Sequence, residues 1–256
     1  SSFWKKNRKL LLMFYEWKQE IERGDFRVVE TILYDYPEED LIIIQKDWEY
    51  IVGKIRTGEA HLLSEGDTQY LGACTKGANK SSVRQQPYSD IMAPQRAYSL
   101  KQSYMTSIVR EVITDKKLTY FASKSELREK TIEELLKERF APYIGMTQKQ
   151  MAEHLDVPFN PGNKAFIAKL ISSLLGVKGT HLDKIAEFAK ANIQFKTVRL
   201  KENGIPKEHM SFVNIDFKEI VKEDWEESYI RNYFLETQLL FVVFQFNAKQ
   251  ELIFKG

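Results

Sequence analysis

Cysteine is almost absent. Cys74 is the single one in 256 residues, which excludes an internal disulfide framework and an all-cysteine zinc site; it reads as a small buried hydrophobe. Histidine is scarce as well. His61, His154, His181 and His209 show no helical pairing and no metal-ligand spacing, and none stands at a recognisable motif distance from Cys74. Neither a histidine metal site nor a nucleophilic triad is legible. No apolar run approaches the roughly 20 residues of a membrane helix, and mean hydropathy is −0.41. The opening Ser1-Ser2-Phe3-Trp4-Lys5-Lys6 lacks the apolar stretch and small-residue cleavage site of a secretory signal. Gly72 and Gly77 do not follow a strand and open a helix, so no phosphate-cradling loop is visible. Charge of one sign is also missing: 38 Lys and Arg against 36 Asp and Glu leave +2, so a basic surface has to come from local clustering. The expectation is a soluble, intracellular, cytoplasmic chain with no membrane partner.

What is present suffices for a core. The hydrophobic fraction is 43%, and 256 residues allow one large or two small domains. Leu10 to Tyr15 and Val28 to Tyr34 read as strands around the turn signal Arg23-Gly24-Asp25. Pro37 and the acids Glu38-Glu39-Asp40 then open a helix with Leu41, Ile44, Trp48, Ile51 and Ile55 on one face, stopped at Gly58. Residues 60–103 carry scattered Gly, Ser, Asn and Pro and read as a long, loop-rich connection, of a length that is usually functional or disordered. Helical spacing resumes from Tyr104 to Ile113, and the polar residues 114–130 are the linker candidate. Helices follow over Thr131–Tyr143, from Thr147 with Gln150 completing a capping box, and over Lys164–Leu175, with a short one ending at Lys190. Ile193–Leu200, Ser211–Phe217, Leu239–Phe246 and Leu252–Phe254 read as strands. The fold class is α+β, a mixed sheet flanked by helices, in two units: 1–113, linker 114–130, and 131–256.

Two groups of residues can carry chemistry. Between Thr68 and Arg110 stand Lys76, Lys80, Arg84, Arg96, Lys101 and Arg110 with a single acid, Asp90. Interleaved are Tyr70, Tyr88, Tyr98, Tyr104, Asn79, Gln85 and Gln86. Lys and Arg neutralise phosphates, while Arg, Asn and Gln can fork onto base edges, the mixture a DNA surface needs; a solvated run of cations would look the same. The second group lies on the alternating strand, where Gln194 and Lys196 emerge on one face seven residues after Glu187. An acid followed by acid-x-Lys is how many magnesium nucleases hold a hard cation and activate water. Here the middle acid is an amide.

These residues resemble the family of the mismatch-repair endonuclease MutH and the related type II restriction enzymes that cut at GATC. Residues 1–113 resemble the second half of such a domain, through Ser1-Ser2-Phe3-Trp4, Asp47-Trp48-Glu49, Tyr70 to Asn79 with Lys76-Gly77-Ala78-Asn79 the most specific run, and Arg96-Ala97-Tyr98-Ser99-Leu100-Lys101. Residues 130–254 resemble the first half of a second one, through Gly145-Met146-Thr147, Lys164 to Gly176, and Glu187-Phe188 running to Lys196-Thr197. The resemblance implies DNA contacts for Lys76, Asn79, Lys80, Arg84, Arg96, Tyr98, Lys101 and Lys164. It also implies a catalytic set of a helical Glu, an Asp and Glu-x-Lys, against which this chain has Ser172, Glu187 and Gln194 with Lys196. Two carboxylates are lost and one is lengthened, so the chain is expected not to cleave DNA and to hold no metal, although the intact family enzyme uses Mg²⁺. The expected role is that of the inactive unit that binds a second DNA site and regulates a catalytic one, and it admits a dimer on DNA. The partners are then duplex DNA containing GATC and the rest of a longer polypeptide. Two alternatives stand beside this: an active nuclease relying on Glu187 and Lys196, and a non-enzymatic interaction scaffold. The order of the two halves fits a piece of a tandem protein or a permuted single domain; the similar runs Leu10–Tyr15 and Leu239–Phe244, which would claim one slot in a single sheet, favour the former.

Overall fold

The computed structural model describes residues 9–76, 82–225 and 228–256. Ser1 to Trp4, Gly77, Ala78, Asn79 and Lys80, singled out above, lie outside these. The chain opens on an antiparallel hairpin, β1 (Lys9–Tyr15) and β2 (Val28–Asp35), with Leu12 opposite Ile32 and Leu10 opposite Tyr34. Side chains alternate across the ribbon, as period-two pleating requires. Leu12, Phe14, Ile32 and Tyr34 face the core, while Leu11, Met13 and Leu33 stay in solvent. Helix α1 (Glu38–Arg56) has three acids in its first turn and Lys54 and Arg56 in its last, complementing the helix dipole. Gly58 ends it at φ +76°, and a Cβ there would stand 2.5 Å from the Tyr88 carbonyl oxygen. Only glycine fits that backbone and that approach.

Residues 60–103 are not the loop that their composition suggests. They form two nested antiparallel pairs: β3 (Leu71–Thr75) with β6 (Arg96–Leu100), and β4 (Val83–Gln86) with β5 (Ser89–Pro94). The strands have four to six residues, and β3 pairs across a separation in sequence that no local periodicity reports. Helix α2 (Gln102–Thr114) follows directly.

The polar stretch 114–130 also packs. Phe121, Ala122 and Leu127, its few apolar residues, are buried. Thr119 exchanges backbone hydrogen bonds with the segment at 184–186, and Ser123 and Glu126 form a capping box at the start of α3 (Lys124–Glu129). Beyond it come α4 (Ile132–Phe140), α5 (Gln148–His154), α6 (Phe166–Leu174) and α7 (Ala186–Ala191). The Thr147–Gln150 capping box is formed. Strand β7 (Ile193–Leu200) pairs in parallel with β8 (Gln238–Phe246), which pairs with β9 (Leu252–Phe254). The segment 211–217, read as a strand, has no sheet partner. Asp216 instead accepts from the Lys218 and Glu219 amides and opens the short α8 (Phe217–Ile220), ahead of α9 (Tyr229–Glu236). Strands β1 and β8 sit in separate sheets and do not compete for one place.

One buried cluster runs from Ile43 and Tyr70 through Phe121 and Leu136 to Phe188, Val242 and Phe254. At its centre lies a charged knot. The Lys190 ammonium donates to Asp40 at 2.7 Å and to the Tyr120 hydroxyl at 2.8 Å. Tyr104 and Tyr120 donate to the two Asp40 carboxylate oxygens at 2.8 and 2.9 Å. Lys190 and Asp40 are 1% and 0% exposed, so this ion pair from the two halves of the chain is held without water and survives on its hydrogen bonds.

Candidate nucleic-acid interface

Asp47 builds the base of the cationic region. Its buried carboxylate accepts three successive backbone amides, Gln69, Tyr70 and Leu71, at 2.8, 2.6 and 2.8 Å, and so fixes the entry of β3 against α1. Burial raises its pKa against the pull of those amides. The Lys101 ammonium donates to the Thr68 carbonyl beneath the same turn, and burial lowers its pKa. Arg96 is likewise turned inward, donating to the carbonyls of Ala73 (2.7 Å) and Leu63. Both cations, expected on DNA, therefore hold the sheet to the turns below it. Gln86 does similar work: it is buried, accepts from the Ala60 amide at 2.8 Å and donates to the Ile91 carbonyl at 2.6 Å. Tyr70 and Tyr104 are fully buried and tilted against each other, so they belong to the core.

The outward set is smaller. Lys76 is exposed at the end of β3 and Arg84 is exposed on β4, with Gln85 beside it. Tyr88 is 65% exposed and Tyr98 45%; the Trp48 indole donates to the Tyr98 hydroxyl. Cys74 is half-buried with a free thiol.

Lys164 is exposed in the loop before α6 and lines a cleft of about 720 Å³ with Phe166, Thr197, Arg199 and Glu208. Thr197 and Arg199 are odd-numbered positions of β7, so this cleft opens on the face opposite Gln194 and Lys196.

The four residues expected at the catalytic positions each take a partner within the protein. Ser172, in α6, is buried and donates to the Lys169 carbonyl. Glu187 is 0% exposed and accepts the Phe121 and Ala122 amides at 3.2 and 3.1 Å. Burial pushes its pKa up to about 7. Gln194 accepts from the Tyr233 hydroxyl at 2.7 Å. The Lys196 ammonium donates to the Ser211 carbonyl at 3.0 Å and lies 5.3 Å from the centre of the Phe212 ring. Phe212, Tyr233 and Phe234 pack edge to face over this side of β7. A hard cation wants several oxygen ligands, carboxylates foremost, and no group of three His, Cys, Asp or Glu suited to a metal occurs among the described residues. The donor set does not fit Mg²⁺.

Small mixed sheets flanked by helices define a fold of the α+β, restriction-endonuclease-like class. Comparison with known proteins gives it a lineage. A family model described as DNA mismatch repair enzyme MutH matches residues 1–47 and 180–253. The chain is 41% identical over 271 residues to the type II restriction enzyme Sau3AI of Staphylococcus aureus, covering 100% of this chain and 55% of that enzyme. The chain spans about half the length of the relative it matches. No helix among the described residues is long and apolar enough to cross a membrane.

Proposed function

We propose that this chain is the DNA-binding portion of a GATC-specific, Mg²⁺-dependent type II restriction endonuclease, and that it binds duplex DNA without cutting it. The observation that carries this is the 41% identity along the whole chain to a type II restriction enzyme. Exposed Lys76 and Arg84, beside the inward Arg96 and Lys101, give the binding half of the reading its chemistry. Its non-cleaving half rests on the amide at 194 and on the engagement of Glu187 and Lys196 by the protein's own groups. Residues 1–113 and 131–256 are read as parts of two consecutive MutH-like units joined through 114–130. Lys164 offers a further backbone contact, in a cleft of its own. The role is recognition and activation of a catalytic unit elsewhere in a longer cytoplasmic polypeptide, with a dimer on DNA as the assembled form.

The test is a salt titration of binding to duplexes with and without GATC. The full chain is expected to prefer GATC, and Lys76→Ala is expected to lower the slope of log K against log salt by about 0.9 if it meets one phosphate. Equal affinity for both duplexes, or unchanged binding by the variant at low salt, would remove the region from the interface. In parallel, Mg²⁺ and supercoiled plasmid are expected to give no linear product; cutting that is abolished by Lys196→Ala would favour an active nuclease instead.

A further inference from the structure

Gln95 stands alone between β5 and β6, where the two strand pairs meet. Its carbonyl accepts the Lys76 amide at 2.9 Å, and its amide donates to the Ser82 carbonyl at 3.0 Å. Its side-chain oxygen accepts from Arg84 Nη2 at 3.1 Å. One residue thus ties together the end of β3, the approach to β4 and the guanidinium of Arg84. The outward cations Lys76 and Arg84 reach the surface through two strands that this residue joins.

The choice of an amide matters physically. A carboxylate in this position would neutralise Arg84 and compete with phosphate or base for it; a neutral acceptor orients the guanidinium and leaves its charge in place. Holding one Nη2 hydrogen removes rotamer freedom from a long side chain, whose ordering otherwise has to be met on binding. The remaining donors of the planar fork stay available, and that fork matches the O6 and N7 acceptors of guanine in the major groove. The β4–β5 hairpin also lies outside the segments that the family model matches, so nothing in that match assigns it a role.

We propose that Gln95 is a positioning residue that aims Arg84 at a guanine of the bound duplex, with Lys76 beside it on the phosphate backbone. This rests on the DNA-binding reading above. Arg84 is then a discriminating contact and Lys76 a charge contact, and Gln95 acts only through the first.

The experiment measures binding of the full chain to a GATC duplex and to one carrying AATT instead, across a range of salt. Wild type is expected to prefer GATC. Arg84→Ala is expected to lose about tenfold or more of that preference. Gln95→Ala keeps its two backbone hydrogen bonds and its charge balance. It is expected to lose several-fold of the preference with an unchanged salt slope and an unchanged melting temperature. Gln95→Glu, which retains an acceptor but pairs its charge with Arg84, is expected not to restore the preference. A merely structural role for Gln95 would lower stability and affinity for both duplexes together. If wild type discriminates and Gln95→Ala discriminates equally, the positioning role is overturned while the DNA reading stands. If wild type binds neither duplex, the DNA reading itself fails.

Discussion

Replacing Lys190 with methionine removes one partner of a buried ion pair and leaves the other in place. Asp40 would stay at 0% exposure with the Tyr104 and Tyr120 hydroxyls still donating to it at 2.8 and 2.9 Å. An uncompensated buried charge costs about 3–5 kcal/mol. The two surviving hydrogen bonds argue for the lower end, and the lost bond from Lys190 to Tyr120, worth about 1 kcal/mol, adds to it. Methionine matches the lysine stem in length, so little cavity opens. The expected loss is about 3–4 kcal/mol in urea unfolding followed by fluorescence of the tryptophans. Asp40→Asn in the same background should return part of it, since a neutral amide is cheaper to bury than an unpaired carboxylate. A double-mutant cycle should therefore show a coupling of at least about 1 kcal/mol. A loss below about 1 kcal/mol for Lys190→Met, or additive single variants, would refute the knot as the joint between the two halves.

Two shorter predictions accompany it. The Glu187 carboxyl titrates near 7 when folded and near about 4.3 in an unfolded chain. The folded state therefore binds the extra proton, and stability is fullest at low pH, falls as pH rises between those values and is flat above. Glu187→Gln should remove that slope, of order 3 kcal/mol, and denaturation midpoints with the same pH dependence in both proteins would contradict the assignment. Gln194→Glu should give no plasmid cleavage with Mg²⁺, because Glu187 remains held by the Phe121 and Ala122 amides and position 172 remains a serine; robust linearisation by that single variant would show the site to be repairable in one step.

Elements held by local rules are legible in the sequence. The acidic start and Gly58 stop of α1, the capping box at Thr147 and the alternation of β7 all name their own structure. Strands β3 to β6 are not legible, because β3 pairs with the distant β6 and the local β4–β5 hairpin is short and mostly exposed. Segment 211–217 misleads in the opposite sense: Val213, Ile215 and Phe217 alternate like a strand, but no neighbour among the described residues offers a ladder and Asp216 caps a helix turn instead. In the candidate interface, residue type located the cationic region but could not orient it. Arg96 and Lys101 look the same as Lys76 and Arg84 in a composition count, and only the carbonyls of Leu63, Thr68 and Ala73 turn the first pair inward. Gln95 carried no signal at all, since its role is set by three partners distant in sequence.

The buried acids are committed to the fold rather than offered to a cation. Asp40, Asp47 and Glu187 are at most 4% exposed, and each is fully engaged by donors of the protein itself. Asp47 takes the amides that start β3, Glu187 takes those of the strap at 121–122, and Asp40 takes Lys190. A carboxylate that accepts two or three internal hydrogen bonds would have to surrender them to coordinate a metal, leaving amides orphaned in the core at about 1–3 kcal/mol each. The same acids instead connect the cationic corner to β7: β6 runs into α2, the Tyr104 hydroxyl of α2 meets Asp40, and Lys190 carries the contact to α7 immediately before β7. Charge that could hold a divalent ion is here the material that binds the two halves of the chain into one core.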